Sequence, residues 1–270
     1  MPYVETSSGT IFYTVNGEPS AGPALVLLHG AGGSRLNWPA ELRRLEQARL
    51  SGVAVYTLDL PGHGRSGGSG RDAIEDYATD VASFFDAVGI ERAVIVGHSM
   101  GGAIALTMAL DFPERVTGLV LVATGARLRV APSILERIST DFEAAVDIIT
   151  SYAWSQEAPS ELVDLGRERF RDAGPDVLLG DLTACDRFDV MQRLGEIDVP
   201  TLVVAGSADR LTPVEYSHHL AEHISEAQIA IIEGAGHMVM LERPVEVAEG
   251  VQHFLTAGFK IAQVGQGQGE

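Results

Sequence analysis

Cysteine is almost missing from this chain. Cys185 is the only one in 270 residues, which excludes an intramolecular disulfide and any zinc or iron–sulfur site built from several thiolates. Positive charge is scarce as well. Nineteen Lys and Arg stand against 37 Asp and Glu, a formal net charge of −18, and lysine is nearly absent, with Lys260 in the terminal stretch. Nucleic-acid binders gain most of their affinity from clustered cations that neutralise phosphates, and anionic membranes attract proteins in the same way. Neither nucleic acid nor membrane is therefore an expected partner. No apolar stretch reaches the roughly 18 residues that a membrane-crossing helix needs, and the amino terminus MPYVETSSG lacks the basic segment and apolar run of a secretory signal. A soluble cytoplasmic protein, monomer or homodimer, is the expectation.

What the chain does have is an ordinary globular composition, 46% apolar and 21% charged, at a length where one hydrophobic core approaches its usual upper size. One domain with an insertion is expected rather than two equal domains. Short β-branched runs alternate with helical patterns, the signature of parallel strands joined by crossover helices. The strands are expected at Thr10–Val15, Ala24–His29, Val53–Asp59, Ala93–Gly97, Gly118–Ala123, Thr201–Gly206 and Gln228–Glu233, with Tyr3–Thr6 as an edge. Most are continuous apolar runs, as in strands covered on both faces. Helical periodicity falls at Trp38–Arg49, Asp72–Val88, Met100–Phe112, Val214–Ile224 and Pro244–Thr256.

The alternation breaks once. Between Ala123 and Pro200 lie helical patterns at Pro132–Trp154, Ser160–Asp172 and Asp176–Leu194 with no convincing strand. A helical excursion there rests over the carboxyl ends of the strands, where open α/β sheets bind ligands. The expected organisation is a core of residues 1–124 and 198–257, a helical cap of 125–197 and a loose tail of 258–270.

Gly97-His98-Ser99-Met100-Gly101 is a G-x-S-x-G sequence set between a strand and a helix, the context of a nucleophile elbow. The turn strains the serine backbone and brings strand against helix, so the flanking positions call for glycine. A serine hydroxyl needs a base, and the base an orienting carboxylate. Asp209 follows one strand in GSADRLTP, and His237 follows the next in EGAGHMVMLERP. The order Ser99, Asp209, His237 is the one associated with this elbow. His29 and His63 remain alternative bases and Glu233 an alternative acid, while His98 is expected to pack beneath the elbow. His218, His219 and His223 read as a solvated helix face, since no H-E-x-x-H pattern accompanies them. His29-Gly30-Ala31-Gly32-Gly33 supplies a second amide for an oxyanion beside that of Met100, from Ala31 or alternatively Gly32. Gly62-His63-Gly64-Arg65-Ser66-Gly67 matches a dinucleotide fingerprint, but the glycine-rich run after it cannot open the helix whose amino terminus would hold a pyrophosphate.

Taken in order, HGAGG, DLPGHGRSG, GHSMGG, GSADRLTP and GAGH make the chain, from about Tyr3 to Leu255, resemble the α/β-hydrolases of the serine esterase, lipase and enol-lactonase group. The resemblance implies an eight-stranded, mostly parallel sheet with helices on both faces, a helical cap over the active site, no cofactor and no metal, and acyl transfer through a serine ester. It implies a small-molecule ester as partner. Carboxylesterase action on short to medium acyl chains is the leading expectation. Enol-lactonase, carbon–carbon hydrolase or cofactor-free perhydrolase activity is the alternative within this fold, and a non-catalytic binding protein the alternative outside enzymology. Trp38, Met100, Leu128, Phe142, Trp154, Phe188, Leu211 and Met238 are expected to line an apolar acyl site. Arg127 and Arg129 are read as a carboxylate anchor or, more simply, as partners of nearby acids, and Cys185 as a small buried hydrophobe of the cap.

Overall fold

A computed structural model describes residues 2–7, 9–18, 24–45 and 53–258. Among them eight strands form one sheet in the order β1-β2-β4-β3-β5-β6-β7-β8: β1 (Tyr3–Thr6), β2 (Gly9–Asn16), β3 (Ala24–Leu28), β4 (Ala54–Leu58), β5 (Ala93–His98), β6 (Val116–Val122), β7 (Thr201–Gly206) and β8 (Gln228–Ile232). The first two ladders are antiparallel and the other five parallel. The crossover helices are α2 (Ile74–Val88), α3 (Met100–Asp111) and α7 (Val214–His223), α9 (Pro244–Gly258) follows the last strand, and α1 (Ala40–Arg43) and α8 (Val239–Glu242) are single turns. The expected tail lies, from residue 259 on, outside the described residues.

The inner strands are buried on both faces because their residues divide between two cores. Val26, Leu28 and Ile95 join one cluster, and Leu25, Leu27, Val94 and Val96 the other. Each such side chain contributes roughly 2 kcal/mol on burial. The expected helix Trp38–Arg49 is cut back. Arg35–Asn37 is a 3₁₀ turn, Trp38 is extended before Pro39, and an α-helical turn covers Ala40–Arg43; the residue before a proline is disfavoured in helical conformation. Positions 46–49 of that helix lie outside the described residues.

Between β6 and β7 run α4 (Pro132–Thr140), α5 (Phe142–Ala153) and α6 (Ser160–Arg187). The expected helix Pro132–Trp154 divides at Asp141, which caps α5 by accepting from the Ala144 amide at 3.2 Å. The helix α6 breaks at Gly174 (φ 79°, ψ 166°) before Pro175, and it ends at Arg187 rather than Leu194. These helices share a cluster of their own, with Ile138, Val146, Ile149 and Leu178 at its centre. Among the described residues no helix is long and apolar enough to cross a membrane.

Register places the site. Leu28 pairs with Gly97, His98 with Val122, Val122 with Val204, and Gly206 with Ile232. The loops after β3, β5, β6, β7 and β8 therefore leave from one edge of the sheet. Strand and helix meet closely there, since a Cβ added at Gly101 would overlap the Leu28 carbonyl oxygen and stand 2.7 Å from that of His29. Backbone cannot retreat as a side chain can. Gly101→Ala is expected to cost about 3 kcal/mol or more, read as a fall in the urea midpoint; a wild-type midpoint would show that the close approach is dispensable.

Candidate active site

Ser99 sits in the turn between β5 and α3 with φ 54° and ψ −116°, a region that side chains seldom enter. Hydrogen bonds through its backbone hold it there. Its N–H donates to the Val122 carbonyl at 2.9 Å, and its own carbonyl accepts from the Gly102 amide at 2.8 Å and from Thr124 Oγ1 at 2.8 Å. The side chain does not cap the helix it precedes, and the residue is only partly buried. The hydroxyl is thus presented at the sheet edge beside the first-turn amides of α3, Met100 among them, which have no partner within the helix. The Gly30 loop lies against it, for a Cβ added at Gly30 would be 3.2 Å from Ser99 Cβ.

Asp209 and His237, each 5% exposed, meet after β7 and β8, with His237 Nδ1 2.9 Å from Asp209 Oδ2. The carboxylate is fixed by its own turn. Oδ1 accepts from the amides of Leu211 (2.8 Å) and Thr212 (2.9 Å), and Oδ2 from Thr212 Oγ1 at 2.7 Å. Burial pushes the carboxyl up, but the His237 imidazole and these hydrogen bonds outweigh it and hold Asp209 below its ordinary value. An ionised acceptor at that distance requires hydrogen on Nδ1, so in the neutral ring Nε2 holds the lone pair.

His98 ties this pair to the elbow. Its Nε2 donates to the His237 carbonyl at 3.0 Å, and the two rings stand 4.9 Å apart. Burial, then the His237 charge, pull His98 down to about 3, so it stays neutral. A histidine next to Ser99 in the chain thereby holds the backbone of His237.

A partly exposed strained serine, an imidazole with a free lone pair and a buried carboxylate share one sheet edge, an arrangement suited to nucleophilic acyl transfer. Residues 25–250 match the sequence profile of the alpha/beta hydrolase family. The chain belongs to that family. It is 30% identical over 259 residues to a 2-hydroxy-6-oxo-6-phenylhexa-2,4-dienoate hydrolase of Comamonas testosteroni, covering 90% of each chain. It is 33% identical over 245 residues to a putative carbamate hydrolase of Variovorax paradoxus, covering 84% and 89%. Among solved structures it is similar to a thermophilic esterase (TM-score 0.81, 37% identity, 94% and 96% covered) and to the enol-lactonase of Burkholderia xenovorans (TM-score 0.87, 25% identity, 94% and 100% covered).

In this hydrolase the rival histidines are engaged elsewhere. His29 Nδ1 donates to the Gly30 carbonyl at 2.9 Å while Nε2 accepts from the Leu60 amide at 3.0 Å, and burial holds its pKa well down. His63 bonds the Pro61 carbonyl and Asp181. Glu233 is exposed, and it is Asp209 that meets His237. The His219 and His223 rings lie 4.0 Å apart, and among the described residues no group of three or more His, Cys, Asp and Glu side chains is placed to hold a metal ion. Gly62–Gly67 forms a loop pinned to β2 by Gly67 N–H to the Thr10 carbonyl at 2.9 Å, and the next helix opens only at Ile74.

Of the two loop amides weighed as oxyanion donors, that of Gly32 is taken by Asp181 Oδ2 at 2.7 Å; the Ala31 amide enters no hydrogen bond among the described residues. The expected pocket residues divide among three groups of packed side chains. Met100, Leu128 and Phe188 pack in one core, Trp38, Trp154 and Met238 in the other with Leu211 against it, and Phe142 against the cap cluster. Arg127 and Arg129 both approach Asp189, at 3.8 and 3.7 Å. Cys185 is buried, which raises its thiol pKa. Sequence reasoning missed Thr212, whose signal was its place three residues after an Asp in a turn, and Asp181, which had none.

Proposed function

We propose that the chain is a serine carboxylesterase acting on small esters of short to medium acyl chains. His237 Nε2 takes the Ser99 proton, the alkoxide attacks the ester carbonyl, and the amides of Met100 and Ala31 hold the oxyanion. Asp209 keeps the proton on Nδ1 and stabilises the imidazolium. His237 then protonates the leaving alcohol, and a water deprotonated by the same ring cleaves the acyl-enzyme. The sequence of steps uses no metal and no cofactor. The observation that carries this reading is the buried 2.9 Å His237–Asp209 pair at the edge where Ser99 is held strained and open; likeness to the thermophilic esterase supports it.

The second reading, a carbon–carbon hydrolase or enol-lactonase, draws on the Comamonas and Burkholderia relatives. Against the first of these, a dienoate substrate needs a cationic anchor, and Arg127 and Arg129 already share Asp189. A panel of p-nitrophenyl esters of rising chain length, run beside enol-lactones, dienoic acids and carbamates, separates them. Esters of short to medium acyl chains are expected to turn over fastest, with an initial burst of nitrophenol from acylation. Slow ester cleavage beside rapid consumption of one ring-derived acid, lactone or carbamate would replace the esterase reading.

A further inference from the structure

A second buried carboxylate with both oxygens bonded lies outside the proposed triad. Asp181, on the second half of α6, is completely buried. Its Oδ2 accepts from the Gly32 amide at 2.7 Å and from His63 Nε2 at 2.8 Å, and its Oδ1 from Tyr77 Oη at 2.6 Å. These partners come from the loop after β3, the loop after β4 and helix α2, so one cap side chain fastens three pieces of the core.

The His63 ring shows the strength of the fastening. Nε2 faces a carboxylate and Nδ1 faces the Pro61 carbonyl at 3.0 Å; both partners are acceptors, so both nitrogens carry hydrogen and the ring is an imidazolium. Burial works against that charge, but Asp181 and the Pro61 carbonyl prevail and raise the His63 pKa. The neighbouring His29, 4.8 Å away, is neutral. A buried imidazolium–carboxylate pair across two layers of a fold is strongly destabilised when one member is removed.

Gly32 meets the cap twice. Its amide goes to Asp181, and a Cβ built on it would stand 2.8 Å from Phe170 and 3.0 Å from Leu178, both in the cap cluster. Its φ of +60° sets the direction of the chain leaving Ala31. We infer that Asp181 is a positioning residue which holds the Gly30–Gly33 loop in shape through the Gly32 amide, so that seating of the cap helix and assembly of the second oxyanion donor are one event. A substrate that lifts the second half of α6 loses that donor, and one that lets it settle gains it.

Gly32 amide exchange, followed by NMR, and kinetics with a p-nitrophenyl ester test this in three variants. Asp181→Ala is expected to speed Gly32 exchange by roughly tenfold or more. It should lower kcat by about 10- to 100-fold with little change in KM, since outright loss of an oxyanion donor costs about 10²–10³ and here the donor is displaced. Asp181→Asn keeps the shape and one acceptor oxygen; it falls between alanine and wild type, and carries the test if the alanine variant does not fold. Tyr77→Phe releases only Oδ1, so thermal stability drops while Gly32 exchange and kcat stay near wild type. Unchanged Gly32 exchange and kcat in folded Asp181→Asn, or the same losses in Tyr77→Phe as in Asp181→Ala, overturn the inference. The kinetic arm rests on the esterase reading and the exchange arm does not. A wild-type protein without ester turnover whose Gly32 exchange still depends on Asp181 would sink that reading and leave the positioning role intact.

Discussion

Ser99→Ala is expected to lower kcat for ester hydrolysis by roughly four to six powers of ten, while the urea midpoint changes little. Two neighbouring hydroxyls are already engaged. Thr124 Oγ1 is bonded to the Ser99 carbonyl and Thr212 Oγ1 to Asp209. The strained φ of 54° is imposed by bonds through backbone atoms, and alanine keeps those atoms. Residual turnover should come from the oxyanion amides and binding alone. A fluorophosphonate probe read by intact mass adds one label to the wild-type protein and none to the variant. Near-normal turnover of the variant, or a label mapped to another residue, would remove Ser99 from the mechanism.

Asp209→Asn is the second large effect, about 10⁴-fold in kcat at neutral pH, and its cause is the tautomer. The amides of Leu211 and Thr212 both donate to Oδ1, so an asparagine places its oxygen there and its NH₂ at the former Oδ2, facing His237 Nδ1. An amide donor in that position demands a lone pair on Nδ1. The proton moves to Nε2, and the ring can no longer accept from Ser99. The ¹⁵N shifts of His237 should show Nδ1 as the unprotonated nitrogen in the variant and Nε2 in the wild type at neutral pH. A variant that keeps the wild-type shifts and rate would show that the carboxylate is not what orients the ring.

The parts of the fold legible in the sequence are those dictated by local pattern. The strands β3, β5, β6 and β7 are continuous apolar runs because both faces are covered, and their ends are readable within two residues. The elbow was legible because its glycines are forced by backbone overlap, Gly97 against Gly101 within the turn and Gly101 against Leu28 of the neighbouring strand. The carboxylate and imidazole followed from their places after successive strands. Where periodicity was the only guide, it overran: Pro39 delays one expected helix, Asp141 divides another, and the helix expected to reach Leu194 ends at Arg187, whereas the break at Gly174 and Pro175 falls between two helices already read as separate. Periodicity alone does not single out pocket residues, because an apolar residue at helical spacing looks the same in a core as beside a ligand. Asp181 was unreadable for a different reason. Its three partners lie 149, 118 and 104 residues away along the chain, so no window of sequence holds the set.

The strand β8, which precedes His237, is the outermost of the sheet, paired on one side only, with Ile229 and Ile231 each 38% exposed. Strands with few shared contacts are the first to open under stress. Heating or denaturant should therefore disarm this protein at its margin, with His237, the proposed base, drifting away while the serine still sits in an intact centre.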